Sequence, residues 1–341
     1  MESRIYCFLG KGYGPFWDFD LPDLRSSTST TTTTTTTETL LISRLAGSIY
    51  SSLTSFCITH SHFDHISSLV LSAGALINTP KSVWGSDETL NRLSYVFQAG
   101  LWPQLAHFDC SDQLALWLRR FESETKPVTI CPSLELQARP IAHGTCTHQG
   151  TPLVFPSDSP DSPHQPNGTD LNPTNDSNPS SVYHSSAFFI THQLNQHQFL
   201  FFGDLGPDSI TGLNLNQKVW KEAAISFNAG NLRTIFIECS YDSSRPAQLL
   251  YGHLSPPFLF EELVCFAKQI SSTETSQNQL IGLNVVIIHI KEDITPIENG
   301  IQFDGLDIRE KIFNEILDLE SNQFQLGCKF WVAKQGDRFE F

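Results

Sequence analysis

The stretch SFCITHSHFDHISSLVLSAGA, residues 55–75, constrains this chain more than any other. A short apolar run ends at Thr59, and four side chains suited to metals, His60, His62, Asp64 and His65, follow within six positions. An apolar pattern at helical spacing begins at once, so the polar cluster sits between a buried strand and a helix. His60 and His62 alternate on one side of an extended segment and can reach one ion. Asp64 and His65, at the turn into the helix, can face a second. Imidazole and carboxylate together suit zinc and similar divalent ions. An isolated HxH would be read as a histidine-rich surface loop; the full HxHxDH directly after a buried run reads as a metal motif.

Such a centre needs further ligands at other strand ends. His143 in ARPIAHGT, Asp204 in FLFFGDLGPD and His289 in NVVIIHIK stand at or near the ends of extended runs. A lone histidine in a strand is more often a packed core residue than a ligand. An acid between Gly203 and Gly206 at a strand end is poorly explained by packing. Together the three supply what a two-metal centre lacks, including a carboxylate able to bridge. His253 in LLYGHLSPP precedes a helix signalled by Ser255 and two prolines. It reads either as a capping histidine or as a proton donor or substrate contact, and the second reading is preferred. His107, His148, His164, His184, His192 and His197 lie in polar surroundings and are read as solvated.

The rest of the chain alternates buried strands with helices. Strands are expected at 55–59, 187–191, 198–203, 233–239 and 284–290, and helices at 66–76, 87–97, 217–227, 257–269 and 309–319. That order argues for an α/β class, whose sites lie beyond the carboxyl ends of strands. Two segments break the pattern: a Ser/Thr tract at 26–40, read as a low-complexity insertion, and a Ser/Pro/Asn/Asp-rich stretch at 151–181, read as a disordered loop. The motifs on both sides of these segments build one site, so a single domain over 1–341 is expected.

Charge narrows the function. A net charge of −15, with 21 Lys and Arg scattered along the chain, argues against a nucleic-acid surface. The eight cysteines form no CxxC pair and read as reduced thiols. With no secretory leader and no apolar run of about 18 residues, a cytoplasmic protein without a membrane span is expected. The sequons at Asn167 and Asn175 are then idle.

The HxHxDH stretch with a distant His, Asp and His resembles the metallo-β-lactamase superfamily. More narrowly, THSHFDHISSLVLSA is similar to the signature of class II cyclic-nucleotide phosphodiesterases, the low-affinity cAMP enzymes of fungi. VWGSDETLNRL, FQAGLWPQL, FFGDLGPDS, IFIECSYDSSRPAQLLYGHLSP and VVIIHIKE continue the similarity in order. The family usually has Leu where Phe63 stands and Gly where Ser68 stands; Tyr95 and Gln98 replace an expected His and Asn.

The resemblance implies a four-layer αββα sandwich with two facing mixed sheets and two zinc ions at one edge. It implies that His60, His62 and His143 bind one zinc, that Asp64, His65 and His289 bind the other, and that Asp204 bridges. It makes His253 a contact to the phosphate, with the leaving oxygen protonated by His253 or by a metal-bound water, Glu238 a carboxylate supporting the ligands from behind, and Asp64 an orienter of the nucleophile. The activity implied is hydrolysis of 3′,5′-cyclic AMP to 5′-AMP by a hydroxide shared between the zincs, with cGMP left open, down-regulating cAMP signalling. A small cyclic nucleotide is then the partner, with no nucleic acid and no membrane. Two alternatives are kept: a phosphodiesterase of the tRNA 3′-processing type on the same fold, and a non-catalytic homologue.

Overall fold

The computed structural model of the chain describes residues 53–75, 80–98, 101–109, 115–121, 126–146, 181–271, 277–291, 307–334, 337 and 339. The tract at 26–40 lies outside them, as does the stretch at 151–181 except for its last residue, which begins a strand.

The smaller sheet holds β1 (Ser55–Cys57), β2 (Lys81–Gly85), β3 (Ala106–His107) and β4 (Leu116–Arg120), in the order β1-β2-β4-β3, with parallel pairings. The larger holds β5 (Val128–Cys131), β6 (Leu134–Cys146), β7 (Ser181–His192), β8 (Gln198–Phe202), β9 (Leu232–Glu238), β10 (Asn284–Ile288) and β11 (Lys329–Val332), in the order β11-β10-β9-β8-β7-β6-β5. From β5 to β8 neighbours run antiparallel, and from β8 to β11 parallel. The parallel half is covered on both faces, and so its strands are nearly unbroken apolar runs such as QFLFF and NVVII.

Alternation within those runs builds the layers. Phe189, Leu200, Phe202, Ile235, Ile237, Val285 and Ile287 face a core shared with α4 (Leu215–Asn228), α5 (Pro256–Ile270) and α6 (Ile308–Leu319). Their neighbours Phe188, Phe199, Phe236, Val286 and Ile288 face the other way, where Cys57 and Phe121 of the smaller sheet's side pack against them. The outer face of the smaller sheet packs Phe56, Ile58, Val83, Leu116 and Leu118 against α1 (Phe63–Ser72) and α2 (Asp87–Val96). Helices, sheet, sheet and helices stack as four layers, the αββα architecture the resemblance implies.

Element ends follow local chemistry. Ser86 caps α2, accepting the Thr89 N–H at 3.2 Å. Asp208, which opens the single turn α3 (Asp208–Thr211), accepts from the Gln217 N–H at 2.8 Å and so caps α4. Trp220 is fully buried between Phe202 and Phe266, and its Nε1 donates to Glu262 at 2.7 Å. No disulfide joins the described cysteines; Cys239 alone of them is fully buried.

Candidate metal centre

β1 stops at Cys57, two residues short of the expected end, and Ile58 keeps the sheet going with one bond to Trp84 O at 2.9 Å. The chain then runs extended through His62, which is the N-cap of α1 at φ −64° and ψ 150°. Asp64 and His65 fall in the first helical turn, where the helix macrodipole favours a carboxylate.

Three other strands bring the remaining groups. His143 lies inside β6 rather than after it, at a bulge where Gly144 takes φ +89°. Asp204 follows β8. Gly203 beside it has no room for a side chain: a Cβ there would lie 2.4 Å from Ser185 Oγ and 2.5 Å from Thr59 Cβ. That glycine lets the end of β8 close against the motif. His289 follows β10 in a left-handed conformation, φ +56°, a strained state for a non-glycine residue.

All nine side chains named from the sequence converge on one place. His60, His62 and His143 bring ligand atoms within 4.8 Å of one another, and so do Asp64, His65, Asp204 and His289. Asp204 Oδ2 is the common point. It lies 3.1 Å from His65 Nε2, 3.4 Å from His289 Nε2 and 3.7 Å from both His60 Nε2 and His143 Nε2. His253 also closes on it, with Nδ1 at 3.8 Å, and its ring lies between those of His143 and His289. Of the histidines read as solvated, His107, His184 and His197 are exposed, whereas His148 and His164 lie outside the described residues. His192 departs from that reading: it is half-buried at the end of β7, with its Nδ1 shut off from water, because the β7–β8 turn folds over it.

The donors suit divalent cations. His60 is completely buried, with Nδ1 near Thr59 Oγ1 at 3.1 Å, yet its Nε2 has no hydrogen-bond partner and faces the cluster. A buried nitrogen left unsatisfied costs about 1–3 kcal/mol, a cost that a ligated ion removes. His143 Nδ1 donates to Gly252 O at 2.9 Å, so its Nε2 is a lone pair, 3.1 Å from His62 Nδ1. Burial, then the neighbouring His143, lowers His62 to about 4, and burial lowers His60 and His143 too. All three are therefore neutral at pH 7, the form that binds metal. Burial alone would raise Asp64 and Asp204. The His289 hydrogen bond and the His65 charge hold Asp64 below its usual range, and His65 does the same for Asp204.

Behind the cluster stands a second row of contacts. Glu238 accepts from the Leu205 N–H at 2.7 Å and meets His253 Nδ1 at 2.9 Å. Burial, then the Asp204 charge, pushes Glu238 up to about 7, and burial lowers His253 to about 4. Ser240 Oγ lies 3.1 Å from His289 Nδ1 and also bonds Glu238, tying both histidines to one carboxylate. Tyr183 stacks on His62 with centroids 4.1 Å apart and meets Ser61 through its hydroxyl at 3.0 Å. Sequence reasoning missed Ser240, Tyr183, Thr59 and Ser185. Isolated hydroxyl residues in or beside strands carry no signal of this role.

The family model for class-II cAMP phosphodiesterases matches residues 23–336. A 3′,5′-cyclic-nucleotide phosphodiesterase of Candida albicans is 29% identical over 329 residues, covering 85% of this chain and 73% of that protein. A probable 3′,5′-cyclic-nucleotide phosphodiesterase of Yersinia pestis is 25% identical over 292 residues, covering 85% of this chain and 68% of that protein. Among solved structures, unliganded yeast PDE1 superposes with a TM-score of 0.66 at 22% identity, covering 86% of this chain and 70% of that one. That superposition bears on the fold, which is the metallo-β-lactamase sandwich.

Proposed function

The chain belongs to the class-II cAMP phosphodiesterase family, and from that premise we propose that it hydrolyses the 3′,5′-cyclic phosphodiester of cAMP to 5′-AMP at the His/Asp cluster. The observation that carries this reading is Asp204 Oδ2, which faces histidines of both ligand groups within 3.7 Å. His60, His62 and His143 would hold one cation, Asp64, His65 and His289 the other, with Asp204 between them. Two zinc ions there would make a water reactive at neutral pH and offset negative charge growing on the phosphoryl oxygens.

The chain's own groups do the rest. Asp64 sits in the more open group and orients the attacking oxygen toward phosphorus. Attack forms one P–O bond and breaks the bond to the 3′ oxygen, which must leave with a proton. Glu238 and His253 share that proton. With it on Glu238, whose complete burial favours the neutral acid, His253 Nδ1 accepts and its Nε2–H is the donor. His253 then passes the Nε2 proton to the 3′ oxygen and takes one at Nδ1 from Glu238. Ser240 and the Leu205 N–H keep Glu238 in place throughout. In this reading residues 1–341 form one catalytic domain that works in the cytoplasm and lowers cAMP signals.

The test is purified protein assayed on cAMP, cGMP and a precursor tRNA, with and without a chelator. Turnover of cAMP that the chelator abolishes and zinc restores is expected. Cleavage of the tRNA alone, or no turnover in a metal-loaded sample, overturns the reading.

A further inference from the structure

We propose that Lys291 is the residue that grips a non-bridging phosphoryl oxygen of the substrate at the mouth of the site. The inference rests on the phosphodiesterase reading and adds to it a substrate contact. The cluster has a closed floor and an open side. His60 is fully buried and the Asp204 side chain is 3% exposed, whereas those of Asp64 and Lys291 are 34% and 35% exposed. Lys291 follows His289 by two residues, and its N–H donates to Ser240 O at 3.0 Å, so the main chain that carries it is tied to the same support as His289.

Its ammonium is aimed at the site. Lys291 Nζ lies 3.6 Å from Asp64 Oδ2, the oxygen that also faces His289 Nε2 at 3.3 Å. A contact of that length is electrostatic and does not consume the ammonium's N–H donors. The charge problem explains why a cation belongs there. The substrate is an anion, the chain carries −15, and Asp64, Asp204 and Glu238 all bring carboxylates to the site. An ammonium beside the most exposed of them offsets repulsion toward an entering phosphate and offers it charge-assisted donors.

The experiment compares wild type, Lys291→Met and Lys291→Arg, each loaded with zinc. Zinc content is read by elemental analysis, inorganic phosphate binding by calorimetry, and cAMP turnover in parallel. The expected result for Lys291→Met is unchanged zinc, phosphate affinity lower by about 10- to 100-fold and a raised KM, with Lys291→Arg recovering most of the affinity. Phosphate affinity within twofold of wild type, or a loss that tracks lost zinc, overturns the proposal, as does a wild type that binds no phosphate. If wild type turns over no cyclic nucleotide, the functional reading fails, and the phosphate comparison still decides the role of Lys291.

Discussion

Gly252→Ala should separate the cost of backbone conformation from the cost of crowding at the site. Gly252 takes φ +81°, and a Cβ there would lie 2.4 Å from His143 O, 2.8 Å from His143 C and 3.1 Å from Gly144 Cα. Gly212 takes φ +68° with nothing within 4 Å of the added atom. Both alanines carry the left-handed penalty, about 1–2 kcal/mol. Only Gly252→Ala also pushes main chains apart, which adds about 1–3 kcal/mol. Urea unfolding of the metal-free proteins should therefore show losses of about 1–2 kcal/mol for Gly212→Ala and about 2–5 kcal/mol for Gly252→Ala, with equal m-values. The crowding moves His143, whose Nδ1 bonds Gly252 O at 2.9 Å, and it moves the adjacent His253. Gly252→Ala should thus bind zinc more weakly and turn over slowly, while Gly212→Ala keeps both properties. Equal destabilisation in the two variants, or full zinc and normal turnover in Gly252→Ala, would refute this reasoning.

Ser240→Ala removes the bond that sets His289, and zinc affinity measured by competition with a chelator should fall about 10- to 100-fold. His253→Ala should keep its zinc and lose turnover by about 10²- to 10⁴-fold; lost zinc would instead make His253 a ligand. His62→Ala, by contrast, should lose bound zinc and activity together. Glu262 gives a pH signature away from the site. It is buried, accepts from Asp208 N, Asn216 Nδ2 and Trp220 Nε1, and burial raises its carboxyl above the ordinary 4.5. The folded chain then binds more protons than the unfolded one, so this carboxyl makes stability fall as pH climbs from 4.5 through its raised value. In a urea series across pH, Glu262→Gln should lack that slope.

What could be read from the sequence depended on whether the signal was local. HxHxDH packs four groups into six positions, and GDLGPD marks a strand end by its glycines, so both were visible. The doubly covered strands β8, β9 and β10 were found within one residue of their starts because burial on both faces leaves apolar runs. β2 and β4 fall outside the expected strands, since KSVWG and LWLRR mix polar and apolar side chains without a clean period; in β6 only a short extended run before His143 is expected, although LELQAR, which opens it, alternates apolar and polar residues as a half-buried strand does. β7 spans Ser181–His192, longer than the expected 187–191, because SVYHSS lacks an apolar run: Tyr183 and Ser185 meet His62 and His60 of the site, while His184 between them is exposed. The supporting contacts were hidden for another reason: Ser61 meets Tyr183, and Ser185 meets His60, across more than a hundred residues. Only folding reveals such pairs.

The most direct test is an anomalous-scattering experiment on crystals of zinc-loaded protein. Two zinc peaks are predicted, one among His60, His62 and His143, the other among Asp64, His65 and His289, with the Asp204 carboxylate between them. A single peak, or ions bound away from Asp204, would contradict the account.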